Sequence, residues 1–229
     1  MRIATCMAIA LLIPTTLTPT AQAQELLSNG DFDIVADLIN GWTLEESRTA
    51  DPSAVVNAAA PAGFANNPGG TAGEVGLWLR SFVGNPTDGT ADAVLSQTVA
   101  ATPGETYTFS GEAAFEQNFS GGVAFLDLLS DWGEIPSPTD ATFRLEFLDA
   151  GGSVLAFDEQ NVAANVFNGA GYTAVDPIQA VAPALTVSAR VVAEATEMAI
   201  NIDPGQSAFY DNFSLTAQSD PSTELLINA

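Results

Sequence analysis

Alternation of apolar and polar residues with a period of two most constrains how this chain folds. The alternating runs cover residues 106–111, 142–147, 185–191 and 198–202. In the second of them, Phe143, Leu145 and Phe147 alternate with polar neighbours. Because successive side chains of a strand point to opposite faces of a sheet, each run predicts a strand with one buried and one solvated face.

Glycine and proline separate these runs. Turn signals lie at residues 102–104, 150–152 and 203–205, where they favour chain reversals. Residues 58–73 and 129–140 break the alternation and are predicted to be long loops. Many strands and turns in a chain of 229 residues predict an all-β fold, a two-sheet antiparallel sandwich.

The first 23 residues have the character of a secretory signal peptide. Arg2 gives a positive start, residues 3–13 are apolar and uncharged, and residues 21–23 form a small-x-small cleavage site. We therefore expect a mature chain that begins at residue 24 and is secreted. No later stretch approaches the ~20 apolar residues that a membrane span requires, so no membrane insertion is expected.

Composition excludes several classes of function. The chain carries 28 acidic residues against five arginines, and its net charge is −23. Nucleic-acid binding needs a basic face, so it is not expected, and neither is attraction to an anionic membrane surface. The single cysteine, Cys6, lies within the predicted signal peptide. Core burial, with or without the help of a metal ion, must therefore hold the mature chain together in the absence of disulfides.

Three blocks of sequence resemble carbohydrate-binding modules with the galactose-binding-like jelly-roll fold. LSNGDFD at 27–33, followed by GW at 41–42, is similar to the opening strand of that family. LSQTV at 95–99 and PGETYTF at 103–109 are similar to its middle strand pair, and FYDNFSL at 209–215 to its closing strand. The resemblance implies a jelly-roll β-sandwich over residues 24–217, a fold that does not by itself specify a ligand.

The resemblance also implies a structural calcium ion between the first and last strands. It assigns Asp33 and Asp211 as ligands, with Asn29 or Asp31 as further contributors. Asp33 stands where the family often has glutamate, and Asn212 replaces a second acid. Both departures bear on the number of ligands.

The parity of the closing block agrees with a cation there. Phe209, Asp211, Phe213 and Leu215 share one parity, which predicts a carboxylate on a buried face. A buried charge is costly unless it is paired or binds metal, and Ca²⁺ prefers oxygen ligands. The alternative is that Asp211 ends its strand in water and that Asp31 and Asp33 only form a turn.

Aromatic side chains near loops are the candidates for sugar binding, because a ring packs well against an apolar sugar face. Trp132 lies in a polar segment, and Phe119 and Tyr172 are predicted to lie near loops. Trp42 follows the opening block and Trp78 lies in an apolar run, so both are assigned to the core. The alternative for Trp132 is a ring packed under its own loop.

Most catalytic chemistry is excluded by composition. The sequence has no histidine or lysine, and its cysteine lies in the predicted signal peptide, so triads, Schiff bases and thiol nucleophiles are ruled out. A two-carboxylate glycoside hydrolase is the lesser alternative, but Glu112 and Glu116 would lie about 13 Å apart along a strand, beyond the usual separations. The main prediction is a secreted, non-catalytic module that binds a polysaccharide or glycan. Its alternative is an extracellular structural or adhesion protein with no sugar ligand.

The end of the sequence echoes its beginning. ELLINA at 224–229 is similar to ELLSNG at 25–30 and follows a polar link that begins at residue 218. The echo predicts either the start of a second module or a tail left from a tandem array.

Overall fold

A computed structural model gives the architecture of the chain. It describes residues 23–61, 75–81, 86–115, 123–125, 134–136, 139–163, 172–198 and 207–218. The predicted signal peptide up to residue 22 and the predicted tail beyond residue 218 lie outside these residues. Within them, no helix combines the length and the apolar character that crossing a membrane would need.

Strands make up almost all of the regular structure. They are β1 (Gln24–Glu25), β2 (Thr43–Arg48), β3 (Ala59–Pro61), β4 (Leu77–Leu79), β5 (Ala91–Ala100), β6 (Thr106–Phe115), β7 (Val123–Phe125), β8 (Glu134–Pro136), β9 (Asp140–Leu148), β10 (Val154–Asn161), β11 (Thr173–Ala174), β12 (Ile178–Val181), β13 (Ser188–Met198) and β14 (Ala208–Gln218). Short 3₁₀ turns occur at Val35–Asp37 and Pro86–Asp88.

Two main sheets form a sandwich. The seven-stranded sheet runs β11-β6-β14-β4-β3, with β12 also paired to β6 and β1 to β14; the five-stranded sheet runs β10-β9-β13-β5-β2. A small third sheet pairs β7 with β8, and all of these pairings are antiparallel. The all-β, two-sheet antiparallel sandwich is therefore confirmed. The predicted middle strand pair corresponds to β5 and β6, which lie in different sheets rather than side by side.

The core lies between the two main sheets and follows the alternation of the sequence. Phe143, Leu145 and Phe147 of β9 are buried, as are Tyr107 and Phe109 of β6 on the facing sheet. Their polar neighbours point outward, because the period of a strand is two. The predicted strands at 106–111 and 142–147 are thus confirmed.

Aromatic rings fill the centre of this core. The ring of Phe143 lies 5.1 Å from that of Phe213 and 5.2 Å from that of Tyr210, both of β14. Phe109 lies 5.5 Å from Phe213 in an edge-to-face arrangement, which is a favourable geometry for aromatic pairs. Phe143 of the five-stranded sheet thereby packs against two aromatic residues of the seven-stranded sheet, and Phe109 packs against one of them.

The alternation fails at the start of β13. This strand begins at Ser188, and Leu185 before it has a φ of 74° and is 76% exposed. The backbone N–H and the hydroxyl of Thr186 both donate to the Pro183 carbonyl, so a turn occupies the first part of the predicted strand. Met198 ends β13 instead of opening a new strand; the rest of that predicted run lies outside the described residues.

Short strands also lie within the segments predicted as loops. Strand β3 lies in 58–73, and β8 lies in 129–140, where β9 also begins. Both predictions of unbroken loops are therefore wrong over these strands. Strand β3 lies at the edge of its sheet and pairs only with β4. A short edge strand of this kind can form without a clear alternation of apolar and polar residues, which is why the sequence pattern did not predict it.

The opening block is packed irregularly rather than as a strand. Only Gln24–Glu25 are extended as β1, and Asn29 and Phe32 both have a φ of 51°. The Asn29 side chain donates to the Leu38 carbonyl at 2.8 Å, and the Trp42 indole N–H donates to the Asn29 carbonyl at 3.0 Å. Side-chain hydrogen bonds of this kind replace the backbone ladder that a strand would provide.

We expect Phe143→Ala to lower the free energy of unfolding by about 3–5 kcal/mol, because it removes a buried ring and leaves a cavity. Phe157→Ala on the neighbouring strand β10 is the matched control, since that ring is 54% exposed and should cost about 1 kcal/mol or less. Urea unfolding of both variants measures the difference. Equal losses would contradict the assignment of Phe143 to the core.

Candidate functional site

The outer face of the seven-stranded sheet, directed away from the five-stranded sheet, carries a row of aromatic side chains. Leu77 and Leu79 of β4 are buried in the core, so Trp78 between them points outward. Trp78 pairs in register with Phe209 of β14, and the two rings stack at 6.0 Å with an angle of 12°. The Arg80 guanidinium lies 4.9 Å from the Trp78 ring, a cation–π contact.

A β-bulge in β14 determines which of its residues reach this face. The register of β14 with β6 shifts between Asp211 and Ser214, and Asn212 has a φ of 52°. A bulge adds one residue to a strand and reverses the parity beyond it. Phe213 therefore faces the core, whereas Asp211 belongs with Phe209 on the outer face. The predicted single parity from 209 to 215 is wrong for this reason.

Two carboxylates lie opposite each other beside the aromatic row. Asp211 of β14 pairs in register with Glu112 of β6. The Asn212 side chain donates to the Glu112 carboxylate at 3.3 Å, and the Asn212 backbone N–H donates to the Asp211 carboxylate at 2.8 Å. Like charges directly opposite on neighbouring strands repel each other, and the two Asn212 donors each bind one of these carboxylates.

Tyr172 packs on the same face. Its ring contacts the buried pair Ala114 and Phe209. Its hydroxyl is buried and has no hydrogen-bond partner among the described residues. Burial raises the pKa of this phenol well above its usual value, and the charges of Asp211 and Glu112 raise it further. The phenol is therefore a protonated group beside the two carboxylates.

A glycine makes room for Tyr172. A Cβ built on Gly76 would lie 2.3 Å from the Tyr172 hydroxyl oxygen and 3.1 Å from the Tyr210 carbonyl oxygen. Real Cβ atoms do not approach other atoms so closely, so any side chain at position 76 would displace the phenol. The absence of a side chain is thus required by the packing of this face.

A groove opens next to the carboxylates. Its volume is about 320 Å³, and its lining consists of Ser110, Gly111, Glu112, Ala174, Val175, Asp176, Pro177 and Asn212. Three strands and the connection between β11 and β12 contribute to it. The groove combines hydroxyl, amide and carboxylate groups, which are suitable for hydrogen bonds to a polar ligand.

The structure places one of the three residues predicted to bind sugar on the outer face and does not describe the other two. Tyr172 lies on the outer face, beside the aromatic row. Trp132 and Phe119 lie outside the described residues. Trp42 is buried in the core as predicted, at 8% exposure. Trp78 is not in that core: it is partly exposed and packs against the separate Ala114 and Phe209 pair, because strand alternation turns it outward.

Three of the four predicted calcium ligands lie in the loop after β1. The Asp33 carboxylate accepts from the Val75 N–H at 3.1 Å, and that of Asp31 accepts from the Asp33 N–H at 3.4 Å. The side-chain oxygen of Asn29 is buried and has no hydrogen-bond partner in the described part of the chain. Asp211, the fourth, faces Glu112 on the outer face instead.

The donor set of this loop is compatible with calcium in type. Carboxylate and amide oxygens are the ligands that Ca²⁺ prefers, and Asn29 offers an amide oxygen without a donor. The described residues contain no group of three or more His, Cys, Asp or Glu side chains placed to hold a metal ion. Calcium binding therefore stays a prediction.

Sequence reasoning missed most of the residues that form the groove. Period-two alternation through Leu77, Trp78 and Leu79 was the available signal for Trp78. No comparable signal joins Glu112, Asp176 and Asn212, which are far apart in the sequence and meet only through strand pairing.

We expect Gly76→Ala to lower the free energy of unfolding by about 1–3 kcal/mol, because the added methyl group overlaps the Tyr172 hydroxyl. Tyr172→Phe removes that oxygen, so most of the loss should disappear in the double variant. Chemical denaturation of the wild type, both single variants and the double variant measures this coupling. An equal cost of Gly76→Ala in both backgrounds would show that the contact with the phenol is not responsible.

Comparison with known proteins provides evidence at the level of fold. No protein-family model and no curated protein sequence matches the chain. Among solved structures, TmCBM61 in complex with β-1,4-galactotriose has a TM-score of 0.51 and 14% identity, and the match covers 85% of this chain and 99% of that one.

Two structures of larger proteins are also similar. The enzymatically active domain of bacteriophage CBA120 tailspike protein 4 matches with a TM-score of 0.57 and 16% identity over 85% of this chain. Arabinose-bound MgGH51 α-L-arabinofuranosidase matches with a TM-score of 0.50 and 16% identity over 84%. This chain spans only 21% and 26% of their respective lengths.

Of these three matches, the one that covers most of both chains is with a carbohydrate-binding module. At identities of 14–16%, the likeness concerns the fold alone. The chain has the β-sandwich fold of carbohydrate-binding modules.

Proposed function

We propose that this protein is a non-catalytic carbohydrate-binding module that binds its glycan on the outer face of the seven-stranded sheet. The observation that carries the proposal is the partly exposed Trp78, stacked on Phe209, beside the polar groove. An aromatic ring packs against the apolar face of a sugar, and neighbouring polar groups bind its hydroxyls. Tyr172, predicted from the sequence as a ligand-binding residue, lies on the same face.

The groove supplies the polar half of such a site. Ser110, Asn212 and Glu112 line it, and together they offer both donors and acceptors. Packing on an aromatic side chain leaves a sugar ring free to rotate. Because sugar hydroxyls both donate and accept hydrogen bonds, a lining with donors and acceptors can fix the orientation of that sugar ring. TmCBM61, whose fold this chain shares, was solved with a β-1,4-galactotriose, which is the chemical class of ligand that we propose here.

A binding role is favoured over catalysis by the extent of the matches. The match with TmCBM61 covers 99% of that module, whereas the matches with the two enzymes cover about a fifth and a quarter of their chains. Glu112 and Asp211 are a carboxylate pair on the outer face, but Asp211 is only 5% exposed. A catalytic carboxylate must reach the glycosidic bond.

We expect the purified protein to bind at least one oligosaccharide on a glycan array, and Trp78→Ala to weaken that binding more than about tenfold, as loss of a central aromatic contact does. Phe157→Ala is the matched control, because it removes an exposed ring from the five-stranded sheet. Titration calorimetry on the best array ligand gives the affinities. Absence of binding to every glycan would favour the alternative of a structural or adhesion protein.

A calcium ion in the loop after β1 forms a second part of the proposal. The loop offers the Asp33 and Asp31 carboxylates and the unpartnered Asn29 oxygen, and a bound ion would fix this loop against β14. The role is structural, since the loop is connected to the core through Phe32 and Trp42. Asp211 remains the ligand that the family resemblance assigns from β14.

We expect added Ca²⁺ to raise the melting temperature of the EDTA-treated protein, because an ion that binds only the native state stabilises it. Asp33→Asn should reduce this rise. Asp37→Asn is the control, since Asp37 is an exposed acid of the nearby 3₁₀ turn. A rise that is unchanged in Asp33→Asn would place the ion elsewhere, and no rise at all would remove calcium from the proposal.

Secretion completes the proposed role. The basic start, apolar run and small-x-small site of residues 1–23 support export and cleavage before residue 24. An exported protein would have access to extracellular polysaccharides, the class of ligand proposed here.

A further inference from the structure

The side of β14 next to the start of the chain holds a short segment, residues 25–27, through specific contacts. The Glu25 carboxylate accepts from the Leu215 N–H at 3.0 Å and from the Ser214 hydroxyl. The Leu26 N–H donates to the Leu215 carbonyl at 2.9 Å. Leu26 and Leu27 both pack against the core. One acid and two leucines thus account for the docking of this segment.

The docked segment has only a small pairing with the sheet. Strand β1 consists of Gln24 and Glu25, and both residues are exposed. Their register partners on β14 are Ala217 and Thr216. Short terminal strands of this kind open at a low cost in free energy. The site on β14 can therefore exchange one occupant for another of the same chemistry.

The sequence contains a second segment of that chemistry. Residues 224–226 are Glu-Leu-Leu, the same residues in the same order as 25–27. They follow a polar link, and Ile227 comes directly after them. Three consecutive apolar side chains favour burial over exposure to water. In the structure, the site on β14 already buries two leucines that follow a glutamate.

The register of β1 defines the connection that the second segment would need. Glu25 lies opposite Thr216, and β1 runs antiparallel to β14. With Glu224 in the place of Glu25, the residue before it would lie opposite Ala217. The connection would then consist of residues 218–222.

A connection of this length is ordinary for an antiparallel pair. Loops of β-hairpins contain about two to five residues. Asp220 and Pro221 lie in the middle of the connection, where both favour a turn. Strand β14 extends to Gln218, so the chain would leave the sheet just before this turn. The second segment can therefore reach the site on β14 of its own chain.

The packing at Gly30 limits the exchange. The Phe213 N–H donates to the Gly30 carbonyl, and a Cβ on Gly30 would overlap the Phe213 carbonyl oxygen. Ala229 stands at the corresponding position of the second segment, and its methyl group does not fit there. The exchange is therefore confined to the Glu-Leu-Leu residues, while Gly30 keeps its place.

We propose that residues 224–226 dock on β14 of their own chain in exchange for residues 25–27. Glu224 then accepts the two hydrogen bonds from β14 that Glu25 accepts in the structure, and the two leucines after it cover the same part of the core. Two segments of one chain thus compete for a single site.

Engineered disulfides report which segment is docked, because cross-strand partners lie close enough to be bridged. Ala217→Cys with Thr223→Cys links the docked second segment, and Ala217→Cys with Gln24→Cys links docked β1. A Cys6→Ser background makes each pair the only thiols. Titration with glutathione gives the effective concentration of each thiol pair, and gel electrophoresis separates links within a chain from links between chains. We expect both pairs to form links within one chain.

Glu224→Gln separates docking from mere proximity along the chain. It should lower the effective concentration of the 217–223 pair about tenfold, the size expected for loss of hydrogen bonds to a charged group. It should also raise that of the 24–217 pair, because it weakens the competing segment. Glu25→Gln should have the opposite effects. Asp220→Asn is the matched control, since it removes the same charge from the link and leaves residues 224–226 intact.

The results that would overturn the proposal are distinct. Absence of the 217–223 link, or a link that Glu224→Gln leaves unchanged, would show that the second segment does not dock. An unchanged 24–217 pair in Glu224→Gln would show that the two segments do not compete. Links between chains would assign the second segment to another copy of the protein. Melting temperatures confirm that each variant remains folded, and no outcome depends on a glycan.

Discussion

The β-bulge in β14 is the feature on which both the core and the candidate site depend. Tyr210 and Phe213 are three residues apart, so in a regular strand they would face opposite sides of the sheet. The extra residue of the bulge, with Asn212 at a φ of 52°, lets both rings enter the core and contact Phe143. The bulge begins just after Asp211, which alternation with Phe209 already places on the outer face, and it sets Asn212 beside Asp211 and Glu112. One local change of backbone thus completes the core and supplies Asn212 to the lining of the groove.

The opening and closing blocks of the sequence form one packing unit around Phe213. The Gly30 carbonyl accepts from the Phe213 N–H at 2.8 Å, and a Cβ on Gly30 would lie 2.0 Å from the Phe213 carbonyl oxygen. The rings of Phe32 and Trp42 lie 5.5 and 5.6 Å from the Phe213 ring. Close packing between the opening and closing blocks therefore accounts for these residues of the family resemblance. Packing residues of this kind specify a fold, and they do not by themselves specify a ligand.

Much of the fold could be predicted from the alternation of apolar and polar residues. Where these predictions were wrong, the error has a physical cause. The runs that became β6 and β9 were assigned correctly, because both are long, regular and buried on one face. The assumption of strict alternation was wrong in β14, because the bulge inserts a residue that the sequence pattern does not reveal. It also failed at Leu185, where the turn at Pro183 extends into the apparent strand. The groove could not be predicted, because strand register rather than sequence spacing brings Glu112 and Asp176 together.

The few cations of this acidic chain explain why the two outer faces of the sandwich differ. Glu146 on the five-stranded sheet is only 4% exposed, and Arg190 and Arg144 both pair with it. A buried carboxylate without such partners would be strongly destabilising, so these arginines are committed to the fold. In the part of the chain that the structure describes, the seven-stranded sheet receives one arginine, Arg80, which lies over the Trp78 ring. On its outer face the ion pairs of the described residues do not include Glu112, whose carboxylate accepts from the Asn212 amide. That carboxylate can therefore also accept hydrogen bonds from a polar ligand, whereas Glu146 is occupied by its arginines.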